Sequence, residues 1–412
     1  MIKSILFSAV FFASASAAFC FQTIATQQDW DDAFEHRYGV SEPYIDVTNG
    51  DEQGVFSWQA HYWVLAYVNM AIAFDDVKYL ERAERLIDVM LSQRDDARHA
   101  RGEIDVISEP YFSAPMYYLK NRGVPAPGWR NLEYNNEVRV QTLNDGQITQ
   151  AIMRFVDAVF SRPAFGAFFI KAEEYVQKVE ETVQAHNTLF VFDRFENIAG
   201  SYYYPNPDGS RLYSGGVPYN HNATMGVTLL LLNKVKGGVA EYRDKAEAIV
   251  AYFKNFVRLG AGGGYVWDYN LQKPAGGVED FNHGHIDIGF LLLAHQEKFD
   301  VTELDLQRLT NTLTRQLYLG NGEFAWRVDG SDVNEKKNYL PAAIDWIGLA
   351  SRNERALEIA EATFTKHYPQ PYWSRPFLGW ANILLWRKTI GEKDVTPPSK
   401  PGSLKVEMKV KF

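Results

Sequence analysis

The chain has 412 residues, 46% hydrophobic and 14% aromatic, with a formal charge of −9 and one cysteine. The acidic balance leaves no electrostatic footprint for nucleic acid or for an anionic membrane surface. A lone thiol excludes an intrachain disulfide, so stability has to come from a buried core, which this composition supplies.

Lys3 precedes the apolar run Ile5 to Phe12 and the small residues Ala13 to Ala18, the pattern of a secretory signal peptide over residues 1–18. The run is too short to span a bilayer, and nothing later offers about twenty uninterrupted apolar residues. A secreted or periplasmic protein without a membrane segment is expected, with Cys20 just beyond the cleavage point.

Between residues 25 and 392 two kinds of helix alternate. Apolar, aromatic-rich ones are predicted near 57–74, 144–160, 221–234, 283–298, 340–350 and 376–390, and amphipathic ones near 77–93, 167–186, 239–257, 302–317 and 353–366. Helices that are apolar nearly all round belong inside, and amphipathic ones outside. Six rounds of this alternation predict an all-α fold, a single α/α toroid of about six to seven helical hairpins, with no Pro/Ser linker to divide it. Residues 393–412 read as a Pro-rich spacer followed by one strand, Ser403 to Phe412.

In such a ring the inner helices run the same way, so the segments leading into them gather at one mouth. Those segments are polar and aromatic. They hold Trp58, His61 and Tyr62; Asp145; Tyr219-Asn220-His221-Asn222; Glu279, His283, His285 and Asp287; Tyr339; and Arg375. Long aromatic, Gly-rich connections, Ser201 to Tyr204 and Gly262 to Tyr269, lead into the third and fourth inner helices and add Tyr265, Trp267 and Tyr269. Aromatic faces with amide, imidazole and carboxylate groups are the composition of a carbohydrate site. Trp267 and Trp373 are the better stacking candidates, whereas Trp346 and Trp380 are expected in the core.

The Tyr219-Asn220-His221-Asn222 cluster resembles the Asn-His pair that opens an inner helix in alginate lyases and related α/α-toroid polyuronate lyases. The segments around Trp267-Asp268-Tyr269 and His283-Gly284-His285-Ile286-Asp287 are also similar to exported toroid enzymes, including glucuronan lyases and uronyl epimerases. The resemblance implies that Asn220 and His221 act at a uronate carboxylate and its neighbouring proton, with a tyrosine to complete the site. Tyr269, Tyr265 and Tyr219 compete for that part.

β-Elimination needs donors to stabilise the enolate-like anion that forms when the proton alpha to the carboxylate leaves, and a base to take it. Asn220, His221, Tyr269 and His283 are therefore the catalytic candidates, with Arg375 and Arg211 as carboxylate clamps. Trp58, His61, Tyr62, Asp145, Tyr219, Asn222, Tyr265, Trp267, Glu279, His285, Asp287, Tyr339 and Arg375 are the substrate-binding candidates. The reading is an exported, monomeric polysaccharide lyase on an acidic poly- or oligosaccharide, with no cofactor. Glu279, His283, His285 and Asp287 match no established metal-ligand spacing, so no metal is expected. A hydrolase would use two of Asp145, Asp268, Glu279, Asp280 and Asp287. A uronyl epimerase would share the proton abstraction, and a non-catalytic glycan binder would need only the aromatic faces.

Overall fold

The structure is a computed structural model describing residues 23–393, apart from 40, 44, 46, 48–49, 104–124, 132–138, 195–197, 206–210, 273–276 and 334–336. The signal segment, Cys20 and the spacer and strand beyond residue 393 lie outside the described residues.

Helix α1 (Gln27–Tyr38) starts on a capping box in which the Thr26 hydroxyl accepts from Asp29 N and Asp29 accepts from Thr26 N. There follow α2 (His61–Phe74), preceded by a π-helical turn Phe56–Ala60, α3 (Val77–Ser92), α4 (Asp95–Ala100), α5 (Thr142–Ser161), α6 (Phe169–Ala185) and α7 (Tyr219–Val235). Next come α8 (Ala240–Phe256), α9 (Phe281–Gln296), α10 (Glu303–Asn311), the short α11 (Ala343–Trp346), α12 (Arg355–His367) and α13 (Ser374–Lys393). The inner helices are α2, α5, α7, α9, α11 and α13. Each packs on the next, and α13 packs back on α2, which closes the ring.

Patterning explains who goes where. α7 is buried continuously from Tyr219 to Leu232, so it has no face for water. α3 buries only Tyr79, Leu80, Ala83, Ile87 and Met90, one stripe at three- and four-residue spacing, and lies outside. Two glycines let helices approach closely. A β-carbon on Gly146 of α5 would stand 2.3 Å from Thr224 Oγ1 of α7, and one on Gly379 of α13 would stand 1.9 Å from the Phe364 ring of α12.

The sixth outer position falls to α1, which the periodicity of the later helices does not foretell. Trp30 Nε1 donates to Phe377 O at 3.1 Å, and the ring is packed by Phe34, Tyr67, Tyr79 and Phe377. Burying the Phe34 and Phe377 side chains contributes roughly 1.5–3 kcal/mol each. Arg387 near the end of α13 reaches Ile24 O at 3.4 Å, while Tyr38 at the end of α1 reaches Tyr372 O at 3.2 Å. The first helix is thus antiparallel to the last.

The connections differ sharply between the two ends of the ring. At the base, residues 75–76, 162–168, 236–239, 297–302 and 352–354 suffice. At the mouth the chain takes 39–60, 93–141, 186–218, 257–280 and 318–342, and only 368–373 is short. Every strand among the described residues lies in these mouth connections. β1 (Arg130–Asn131) pairs with β2 (Arg139–Val140), and β3 (Phe190–Arg194), β4 (Ile198–Pro205) and β5 (Arg211–Gly216) form an antiparallel sheet. β6 (Arg258–Leu259) pairs with β7 (Tyr265–Val266), and β8 (Tyr318–Gly320) with β9 (Glu323–Phe324). In the β6–β7 turn Gly260 N donates to Gly264 O at 2.8 Å and Gly263 takes φ +71°, a conformation side chains resist. These hairpins are the difference from the expected loops: pairs of two to eight residues are too short to set a readable alternation.

Candidate functional site

Asn220 and His221 occupy the first turn of α7, which Pro218 opens with no side-chain cap. Both are buried. Both amide atoms of Asn220 and Nδ1 of His221 are buried with no hydrogen-bond partner. Buried groups of this kind take their partner from ordered water or from another molecule. Burial, with the charge of nearby His283, lowers the His221 imidazole to about 3, so it stays neutral. The Tyr204 ring meets it edge-on at 5.8 Å.

His283 sits in the first turn of α9. Asp280 caps that helix, accepting from His283 N and from His283 Nδ1 at 2.8 Å each. With Nδ1 held by a carboxylate, Nε2 carries the lone pair of the neutral ring. Burial pulls the His283 imidazole down, but the Asp280 hydrogen bond and the charges of Glu279 and Asp280 outweigh it and leave it raised. The Tyr269 ring lies 5.0 Å from His283.

Arg375 of α13 joins the same group. Its guanidinium donates through Nη1 to Asn282 Oδ1 at 2.8 Å, stands 5.3 Å over the Tyr62 ring, and keeps Nε and Nη2 buried without partners. His61 and His285 are held well below the ordinary imidazole range, His285 at about 4, by burial first and then by the Arg375 charge. His285 Nδ1 hydrogen-bonds Asp345 Oδ2 at 2.7 Å. The first turns of α2, α7, α9 and α13 thus bring together His61, Tyr62, Asn220, His221, His283, His285 and Arg375, with Tyr269 beside them.

Other candidates are turned elsewhere, each for a local reason. Asp145 accepts from Trp129 N at 3.0 Å and pairs with His186 Nε2 at 2.8 Å, fully buried. Tyr219 is packed on Tyr252 and Phe253, its hydroxyl on Ile249 O. Asn222 clamps the chain before its own helix, accepting from Tyr202 N at 2.7 Å and donating to Pro218 O at 3.2 Å. The Tyr265 hydroxyl lies between Asp305 and Arg308 of α10. Trp267 is fully buried, donating to Asp287 Oδ2 at 2.9 Å, so it joins Trp346 and Trp380 in the core rather than offering a face to a sugar. His283 takes Asp280 as its partner, not Asp287 four residues on. Trp58 is half-buried in the π-helical turn with its ring against Gly54. The side chains of Tyr339 and Arg211 lie outside the described part of the structure.

The carboxylates are largely committed. Asp268 is bonded to Arg258 through both oxygens at 2.8 Å. Glu279 and Asp287 are fully buried, and burial first and neighbouring carboxylates next raise both far above the usual range, which favours the uncharged acids. Glu279, Asp280 and His283 offer ligand atoms within 4.8 Å of one another, but the Asp280–His283 bond already uses two of them. The sequence reading named none of Tyr204, Asn282 and Asp345 as a site residue; Tyr204 arrives on β4, Asn282 on α9 beside His283, and Asp345 on α11.

No protein-family model matches the chain, and no curated protein does. Among solved structures, an inactive variant of an α-1,6-mannanase of glycoside hydrolase family 76 from Salegentibacter sp. HEL1_6, in complex with α-1,6-mannotriose, is 10% identical with a TM-score of 0.51. That match covers 88% of this chain and 98% of the mannanase. A sugar epimerase from a ruminal bacterium is 12% identical over 81% of this chain and 87% of its own, with a TM-score of 0.47. A polysaccharide lyase is 8% identical over 81% and 91%, with a TM-score of 0.44. At these identities the mannanase likeness establishes the α/α toroid and nothing about chemistry.

Proposed function

We propose that this protein is an exported polysaccharide lyase that cleaves a uronate-containing glycan by β-elimination. One observation carries the reading: among the buried groups left without partners at the mouth, Asn220, His221, His61 and two guanidinium nitrogens of Arg375 are neutral or cationic, and the unpartnered Glu279 Oε2 and Asp287 Oδ1 belong to carboxyls that burial pushes toward the uncharged acid. The neutral and cationic groups suit a carboxylate that gains charge. Asp145, Asp268, Glu279, Asp280 and Asp287, the acids a hydrolase would draw on, are bonded or buried instead. The shared fold of a mannanase bound to mannotriose supports an oligosaccharide as ligand.

In this mechanism Arg375, Asn220 and the neutral His221 hold the uronate carboxylate. His283, oriented by Asp280, takes the proton at C5 on Nε2. The electron pair left behind forms the C4–C5 double bond as the C4–oxygen bond breaks, and Tyr269 gives its hydroxyl proton to the leaving oxygen. Donors fixed in place before the charge appears stabilise the transition state more than the ground state.

Ultraviolet absorbance of the unsaturated product, with purified protein on alginate and on glucuronan, tests the proposal. Absorbance should rise on one of them and fall roughly 10²–10⁴-fold in rate for His283→Ala. New reducing ends without unsaturated product would replace elimination by hydrolysis.

A further inference from the structure

Along the axis of the ring, beyond the histidines, runs a cavity of about 370 Å³, within the range of small-ligand pockets. At one end it is lined by His61, Tyr62, Gln147 and His285, so it abuts the site at the mouth, and it continues past Arg154 toward Asp157. Arg154 lies two turns, about 10 Å, further along α5 than Gln147.

Arg154 lines this cavity yet makes no hydrogen bond or ion pair among the described residues. The acids whose charge it feels are engaged elsewhere. Asp157 and Glu297 bridge to Lys234 at 2.8 and 3.2 Å, and Asp345 binds His285. Two further lining groups, Gln147 Nε2 and His61 Nδ1, are buried without a partner. Gln150, Asn69 and Asn382 add amides, and Leu65, Val68 and Leu378 give apolar wall. Polar donors set among apolar wall suit a sugar, and an unpaired guanidinium suits an anion. A guanidinium always stays charged, and Arg154, half-buried with no bonded counterion, is placed to take an anionic ligand.

We propose that Arg154 anchors the carboxylate of a uronate unit held in the axial cavity, adjoining the unit at the mouth. This rests on the reading of the substrate as acidic. A chain end threads the axis as far as Arg154, with Gln147 bonded to its hydroxyls, and the charge that distinguishes a uronic acid from a neutral hexose is read there.

Titration calorimetry of the full chain with sodium glucuronate, and with glucose as the neutral control, tests the anchor. Glucuronate should bind, glucose should not, and Arg154→Met should weaken glucuronate by about tenfold to a hundredfold, with Arg154→Lys between them. The melting temperature of Arg154→Met should stay level, because the variant breaks no hydrogen bond or ion pair among the described residues. A fall would make Arg154 structural and overturn the proposal, as would equal glucuronate affinity in wild type and Arg154→Met. If no polyuronate yields unsaturated product while glucuronate binding still depends on Arg154, elimination fails and the anchor stands. If product forms with an unchanged KM in Arg154→Met, the anchor fails and elimination stands.

Discussion

His283 shows how a side chain's partner decides its chemistry. The Asp280 bond fixes which ring nitrogen is free, and it holds the imidazole above its ordinary value against the pull of burial. A base must be unprotonated, so the elimination rate should climb as pH rises through a midpoint above the free imidazole range. Asp280→Asn should lower both that midpoint and the rate; a pH–rate profile that does not move would remove Asp280 from the mechanism. Asp145 predicts the converse. Its oxygens hold Trp129 N and His186, so Asp145→Asn should cost about 1–3 kcal/mol in urea unfolding and leave kcat unchanged. In sequence the two acids look alike, each polar at the head of an apolar helix. What separates them is which neighbour arrives from a distant connection. Asn220, His221 and Arg375 were legible because their segments are polar where the following turns are not. Tyr204 and Asp345 were not, since nothing local marks a group whose importance is its distance to a histidine far along the chain.

Helices were read more surely than anything else. The five outer and six inner segments recognised by period correspond to observed ones, because a helix buried all round, such as α7, carries its burial in its composition. The inner α11 is the exception: the expected 340–350 helix is one α-helical turn between 3-10 turns, with Pro341 inside the first of them. α1 went unrecognised although Thr26 and Asp29 spell its capping box. A second sign went unread: Gln147, Gln150, Arg154 and Asp157 form a polar row at three- and four-residue spacing along α5 and line the axial cavity. Close packing between helices gives a prediction at this scale. Gly379→Ala gains about 1 kcal/mol of helix propensity. The new β-carbon would overlap the Phe364 ring, and overpacking of that kind costs about 1–3 kcal/mol. The variant should therefore melt at a lower temperature, and a higher one would mean that α12 shifts freely.

For the whole molecule, the mouth histidines couple stability to acidity. His61, His221 and His285 are neutral and buried in the folded ring, with values depressed from 6.5, to about 3 for His221 and about 4 for His285. The unfolded chain takes up protons first as pH falls, so the stability these groups contribute is present above pH 6.5 and is lost on descent toward 4. His283, raised in the fold, acts oppositely and adds stability below its unfolded value, but it is one against three. The urea midpoint should fall steadily over that window, and a flat midpoint would mean that the mouth is wet enough to charge its histidines without unfolding. The closure of the ring has one more consequence. Because α1 lies antiparallel against α13 and Ile24 O accepts from Arg387, the ring formed by the described residues begins and finishes at neighbouring points on the base. The order in which the hairpins are threaded is then arbitrary as far as the walls are concerned. A circular permutant, joined there by a short linker and opened at Gly237-Gly238, would have new ends at an exposed turn and the same axis, mouth and reactive groups.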